Sequence, residues 1–404
     1  MPRPSDAVSS TGSPHFEALD SLRGLAALSV VLYHMAWVSP ISQLTFIRNG
    51  DVMVDLFFVL SGFVITYSYG RKVSDITGLR NFVWLRFWRL WPLHVTFLVV
   101  MAGIEFLKYF AQIKLHLAPN EPAFSLNNGR AFLANLFLIQ ALHTTPAFTF
   151  NGPAWSISTE FWTYILFGLT VLALPGSIAR RFAFAILSAG SFVLLVFVLH
   201  RNPLEPTIDW GILRCIMGFF LGSLAYEAYE AIAPRVATRP SAQTTFDILA
   251  GAGMACFVVL LCLRRTGGTW DALVILPLIA FMILACASSG KLLTYRVLTW
   301  APLHWLGKVS YSIYMVHLAI LWCIGQVIRV AFKVHQIPTD DPLAPGRMML
   351  NPPLPLALAA CALGLALVLL VSWATFAWIE DPWRIWSKTR LRRRPVAAPS
   401  LADT

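Results

Sequence analysis

Residues 51–69 read Asp51-Val-Met-Val-Asp-Leu-Phe-Phe-Val-Leu-Ser-Gly-Phe-Val-Ile-Thr-Tyr-Ser-Tyr69, with charge only at Asp51 and Asp55 near one end. A stretch of this length suffices for a helix to cross a hydrocarbon layer of about 30 Å at about 1.5 Å per residue. Nine further segments meet the same criterion, some with a polar end: 18–38, 90–112, 155–174, 182–199, 210–229, 247–263, 271–288, 309–328 and 354–379. The whole chain agrees, since 57% of its 404 residues are hydrophobic and only 13% charged. A soluble domain carries about 25% charged residues, and half that density cannot cover a water-soluble body of this size. The expected fold is all-α, a polytopic membrane bundle of about ten transmembrane helices. The expected organisation is a disordered cytoplasmic tail over 1–17, one membrane domain over 18–386 and a basic cytoplasmic tail over 387–404.

Charge sets the sidedness. The net charge of +11 invites a nucleic-acid partner, but most basic residues flank apolar segments, where membrane topology and lipid headgroups account for them. With ten spans and the N-terminus inside, 19 Lys and Arg fall in inner segments, nine in outer ones and three (Arg23, Lys108, Arg214) within spans. Both termini are therefore expected in the cytoplasm. The Pro-rich run from Pro338 to Pro355 becomes an outer loop and Arg390-Leu-Arg-Arg-Arg394 an inner anchor. The segment Ala131–Leu142 is too short to span and reads as a re-entrant or surface helix. The first seventeen residues lack the apolar core of a signal peptide. The six cysteines lie in apolar stretches without CxxC or His at ligand spacing, so neither a disulfide framework nor a metal site is expected.

Ionisable groups inside a bilayer are costly and mark cavities or partners. The spans at 182–199, 247–263, 271–288 and 354–379 are almost free of them, whereas the first four hold Asp20, Arg23, His34, Asp55, His94, Glu105, Lys108 and Glu160. Arg23 and His34 are eleven residues apart, about three turns, on one helical face at opposite ends. By depth, Asp55 and Glu160 fall level with His34, while Arg86 and Arg89, three residues apart on one face, fall level with Arg23. Arginines suit a phosphate-bearing ligand. A histidine beside a carboxylate suits proton abstraction from a hydroxyl. Together they describe a transferase fed from the cytoplasm by a long, phosphorylated donor.

Plainer roles stand beside these. Arg23 can pair with Asp20 one turn earlier, Arg86 and Arg89 can be inner-face anchors, and Asp55 can complement a helix dipole. Glu105 and Lys108 neutralise each other, and Trp84 to Trp91 reads as an interfacial belt. Ser61-Gly62 fits a close helix contact better than a nucleophile. For His317, structural and functional roles both stay open.

Five motifs in order carry a family resemblance. They are Leu19-Asp-Ser-Leu-Arg-Gly-Leu-Ala-Ala-Leu28 leading to His34, Asp55-Leu-Phe-Phe-Val-Leu-Ser-Gly-Phe63, and Arg86-Phe-Trp-Arg89-Leu-Trp-Pro92, followed by Pro153-Ala-Trp-Ser-Ile-Ser-Thr-Glu160 and Gly307-Lys-Val-Ser-Tyr-Ser-Ile-Tyr-Met-Val-His317. In these the chain resembles the acyltransferase family 3 of integral membrane proteins, which O-acylate sugars and glycans. The resemblance implies a bacterial inner-membrane protein with acyl-CoA, acetyl-CoA first, as donor and no metal. It also implies His34 as the essential histidine, Arg86 and Arg89 at the coenzyme side with Arg23, and Glu160 or Asp55 as partner of His34. His317, Ser61 and Trp155 are candidates for supporting the site. The acceptor would be a sugar hydroxyl of a polysaccharide, lipopolysaccharide, peptidoglycan or related glycoside, reached alone or through a glycan-assembly partner protein. Larger members add an extracytoplasmic hydrolase-like domain, which is not expected in this chain. The competing function is a proton-coupled transporter or flippase of a glycan intermediate, since intramembrane His, Asp and Glu also build proton relays, although such folds show two related halves. A scaffold for glycan assembly is the third.

Overall fold

The structure is a computed structural model that describes residues 16–116, 122–265, 267–290, 292–339 and 347–392. The tail expected before residue 16 and the basic residues after 392 lie outside the described residues, as do 340–346 of the Pro-rich run. The helices are α1 (Glu17–Tyr33), α2 (Thr45–Arg48), α3 (Met53–Tyr69), α4 (Ile76–Leu115), α5 (Gly129–Leu136), α6 (Trp155–Ala173), α7 (Ser177–Val193), α8 (Gly211–Ala237), α9 (Pro240–Leu263), α10 (Ala272–Ser288), α11 (Leu293–Leu298), α12 (Ala301–Lys308), α13 (Ser310–Ala331), α14 (Leu354–Thr375) and α15 (Asp381–Arg392). Among the described residues the only paired strands are β1 (Gln336–Pro338) and β2 (Met348–Leu350), a short antiparallel hairpin. Eight helical stretches are long and apolar enough to cross a membrane, and the 17-residue helices α1 and α10 pack among them. The chain is an all-α polytopic membrane protein.

Three departures from the sequence expectation shape the site. The first span ends at Tyr33 rather than at residue 38, because the chain leaves the helix to meet the hairpin. Val38 N–H donates to the Leu350 carbonyl at 2.8 Å and Leu350 N–H to the Ala36 carbonyl at 2.9 Å. Trp37, fully buried, donates its indole N–H to Cys361 Sγ at 3.2 Å. His34 therefore caps a helix end instead of sitting inside a span.

The third span, expected over 90–112, is the second part of the 40-residue α4. Asp75 starts that helix early by accepting the Gly78 N–H at 2.6 Å. At about 1.5 Å per residue α4 is about 60 Å long, twice the hydrocarbon thickness. Its leading half packs on α15: Trp88 stacks on Trp383 with centroids 4.8 Å apart, and Trp84 meets Trp386 at 5.8 Å. The expected aromatic belt is thus in large part a helix–helix contact, and α15 runs through residue 386 as one helix to Arg392. The third departure lies at 131–142. Only Gly129–Leu136 is α-helical there, and the irregular backbone that follows is held from inside the bundle. Ser158 Oγ and Trp162 Nε1 both donate to the Leu138 carbonyl, at 2.7 and 2.8 Å, and Gln140 donates to the Ala154 carbonyl at 3.0 Å. Non-helical backbone at this depth is stable only when protein groups satisfy it.

Elsewhere α6 to α10 follow the expected spans to within a few residues at most ends, α8 reaching further at its C-terminal end and α9 at its N-terminal end. Glu105 and Lys108 pair at 3.3 Å. The tightest crossing joins α3 to α8 through glycines: a Cβ on Gly62 would lie 1.8 Å from the Phe219 carbonyl oxygen, and one on Gly222 would lie 1.9 Å from that of Val59. In a bilayer, such small-residue contacts replace the hydrophobic drive that water provides to soluble bundles. Gly62→Ala is expected to cost about 1–3 kcal/mol through overpacking, read as a lowered thermal midpoint of the detergent-solubilised protein. An unchanged midpoint would mean that α3 and α8 are not in this contact.

Candidate active site

The basic groups come from α4 and α1. Arg86 lies over the Tyr69 ring, 5.0 Å from its centroid, and donates from Nη2 to the Tyr69 hydroxyl at 3.0 Å. Its Nε is buried and has no hydrogen-bond partner among the described residues. Arg89 forms an ion pair with Glu380 and lies 5.4 Å from the Tyr311 centroid. Glu380 is 2% exposed, and its other oxygen accepts from Ser312 Oγ at 2.7 Å. It closes a π-helical turn, Phe376–Glu380, between α14 and α15; such turns re-aim side chains and recur at functional sites. Arg23 donates to Asp20 at 3.1 Å, the plain pairing weighed above, and also faces the central cavity.

That cavity, about 150 Å³ in volume, is lined by Arg23, Arg86, Arg89, Ser61, Glu160 and Tyr314 together with apolar and aromatic side chains. Glu160 Oε1 accepts from Ser61 Oγ and from the Tyr164 hydroxyl, the latter at 2.5 Å. Tyr314 shares a hydrogen bond of 2.8 Å with Ser156 and gives the cavity its link to the histidines, with its ring 5.8 Å from that of His317.

His34 and His317 face each other with centroids 4.9 Å apart. His34 Nδ1 lies 2.9 Å from the Val30 carbonyl and His317 Nδ1 lies 3.3 Å from that of Ile313. A carbonyl only accepts, so both Nδ1 atoms carry a proton, and in the neutral rings both Nε2 atoms keep a lone pair. His317 is fully buried, and its Nε2 has no partner among the described residues. Helix α1 delivers His34 and α13 delivers His317, so the pair forms where α1 stops short. His34 does not line the cavity; it stands one ring behind Tyr314 and His317.

Depth alone brings Asp55 and Glu160 to His34, and the structure engages both elsewhere. Arg214 holds Asp55 in a two-pronged pair, Nε to Oδ1 at 2.9 Å and Nη2 to Oδ2 at 2.7 Å, with both side chains almost fully buried. Trp155 lies under that guanidinium, 5.7 Å from ring centroid to Cζ, and packs on Phe58. Asp55 and Trp155 thus belong to a charge pair joining α3, α6 and α8, and neither lines the cavity. Arg214 has a legible signal, being a lone charge inside an apolar span that must find a carboxylate. Glu380 has a weaker one, a carboxylate directly after an apolar run at the end of the bundle that carries Arg86 and Arg89. Among the described residues no group of three His, Cys, Asp or Glu side chains could hold a metal ion.

The model of the acyltransferase 3 family, described as an acyltransferase domain, matches residues 16–373. YrhL of Bacillus subtilis (strain 168), named as a peptidoglycan O-acetyltransferase, is 24% identical over 334 residues, covering 76% of this chain and 49% of YrhL. The O-acetyltransferase OatA of Staphylococcus aureus (strain COL) is 24% identical over 333 residues, 76% of this chain and 51% of OatA. Protein 2 in picA locus of Rhizobium radiobacter is 35% identical over 164 residues, 38% of this chain and 81% of that protein. The aligned part of this chain spans about half the length of the two acetyltransferases. No solved structure matches.

If the Asp55–Arg214 pair is architectural, breaking it by Arg214→Leu or Asp55→Leu costs about 3–5 kcal/mol, whereas the double substitution to apolar residues recovers most of that loss. A double-mutant cycle on thermal stability checks this. Additive losses would show that the two groups act independently.

Proposed function

The chain belongs to the acyltransferase 3 family, and from that premise we propose that it is a membrane-embedded O-acyltransferase. It moves an acyl group, acetyl in the first instance, from acyl-CoA to a sugar hydroxyl of a cell-surface glycan. Peptidoglycan, the acceptor in the name of YrhL, heads the acceptors, followed by lipopolysaccharide and other polysaccharides. The carrying observation is the cavity with arginines at one side and, across Tyr314, a pair of histidines whose Nδ1 atoms donate to backbone carbonyls and so leave Nε2 to act as the base. Arginine binds phosphate with geometric specificity and imidazole takes a hydroxyl proton, and here Tyr314 and His317 link the arginine-lined cavity to His34. The excess of Lys and Arg on one side supports a reading with the arginine side and both termini in the cytoplasm.

In this mechanism the coenzyme's phosphates rest near Arg86 and Arg89, and the pantetheine arm carries the thioester along the cavity toward Tyr314. His34 Nε2 removes the proton of the acceptor hydroxyl as its oxygen bonds to the thioester carbon. The tetrahedral adduct then expels the coenzyme sulfur, which takes the proton from the imidazolium, so that ester and free thiol form and the histidine is restored. The Val30 carbonyl keeps the His34 Nδ1 proton in place, and the His317 ring fixes the orientation of the base. Glu160, held by Ser61 and Tyr164, shapes the wall between the two regions.

His34→Ala is expected to lower acyl transfer from acyl-CoA at least about 100-fold in the purified protein while leaving coenzyme binding and the folded state unchanged. Undiminished transfer would contradict the mechanism. Arg86→Gln should instead act mainly on the KM for acyl-CoA, with kcat less affected. Acceptor-dependent release of free coenzyme separates the enzyme from a transporter, which would show none.

A further inference from the structure

The C-terminal helix has a role that its amphipathic, basic sequence does not require. We infer that the donor's phosphates are held between α4 and α15, with Lys388 of α15 and Lys72 completing around Tyr69 the site that Arg86 begins. The inference rests on the donor proposed above and extends its binding site to a helix expected to be an anchor.

Indole packing brings α15 to this position. Trp383 stacks on Trp88 at an interplanar angle of 5°, Trp386 meets Trp84, and Trp84 Nε1 donates to the Ser387 carbonyl at 3.3 Å. The residue after Ser387 is Lys388, which this packing brings within electrostatic reach of Arg86, Arg89 and Tyr69. On another side of Tyr69, Lys72 Nζ lies 5.5 Å from the ring centroid, while the Arg86 Cζ lies 5.0 Å from it. Two cations therefore gather on one tyrosine, and Lys388 on α15 lies within electrostatic reach of it.

Three carboxylates at this end are committed to other cations, and Glu160, which shares the cavity wall with Arg86, is held by the Ser61 and Tyr164 hydroxyls. Glu380 takes Arg89, Asp381 takes Arg384 with Nε at 2.9 Å, and Glu230 takes Arg71 at 2.6 Å. Among the described residues Lys72, Arg86 and Lys388 have no ion pair, and Arg86 Nε is buried without a hydrogen-bond partner beside the cavity mouth. Like charges at such spacing repel unless an anion sits among them. A diphosphate with one further phosphate presents several acceptor oxygens and satisfies the three cations together. Anionic lipid headgroups offer the same phosphate chemistry, so the test has to separate the two sources.

The full chain is placed in nanodiscs of phosphatidylcholine, with and without phosphatidylglycerol, and coenzyme A is titrated calorimetrically. Lys388→Gln and Lys72→Gln are each expected to raise the Kd for coenzyme A about tenfold in both lipids, the loss of roughly one charge-assisted contact. Arg392→Gln, on the same helix but outside the cluster, should leave it unchanged. Because Lys388 and Lys72 are exposed, the thermal midpoint should hold in both variants. The inference falls if Lys388→Gln binds coenzyme A as the parent does, or if Arg392→Gln weakens it equally. It also falls if the variants lose only a phosphatidylglycerol effect, which would assign the cluster to headgroups. A parent protein that binds no coenzyme A at all would overturn the donor reading itself, and the inference with it.

Discussion

A guanidinium inside an apolar bundle has to be neutralised, and Arg89 meets this need with Glu380. That ion pair ties the 40-residue α4 to the turn between α14 and α15. It joins the third apolar span of the chain to its last one and sets one wall of the cavity. With Glu380 also receiving Ser312 of α13, three helices converge on one carboxylate. The cost of leaving a charge unpaired in hydrocarbon is several kcal/mol, enough to make this convergence a strong constraint on how the helices assemble. The Asp55–Arg214 pair works in the same way on the other side, locking α3 to α8 where the glycines already bring the backbones together.

These two pairs explain the division of labour among the buried charges. Groups that satisfy each other build the frame. Groups left with spare valence face the cavity or the histidine pair: Arg86 with a buried Nε, His317 with a buried Nε2, and Arg23 only partly occupied by Asp20. Under the proposed function, such spare valence is where a phosphate and a hydroxyl bind.

Much of this is legible in the sequence. The fold class follows from length and hydropathy, Arg23 and Glu160 stand out as intramembrane charges and Arg86 and Arg89 as a pair level with Arg23; the structure brings all four to one cavity. What depth along a helix cannot supply is azimuth and partner. Asp55 is level with His34 in projection, yet it turns to α8 because Arg214 is there, and His34 finds His317 from a helix nearly three hundred residues later. The ends of α1 and α4 escape a hydropathy reading for a related reason: a hairpin bond to Leu350 stops one helix, and indole stacking on α15 extends the packed part of the other.

The central claim is that the cavity receives the donor's phosphates beside Arg86 and Arg89 and that the acyl carbon reaches His34 past Tyr314. A cryo-electron microscopy map with a non-cleavable thioether analogue of acyl-CoA tests it most directly. The account predicts phosphate density against those arginines and the acyl end in contact with the His34–His317 pair. Phosphate density at the hairpin end of the bundle, or an acyl end lodged away from both histidines, would contradict it.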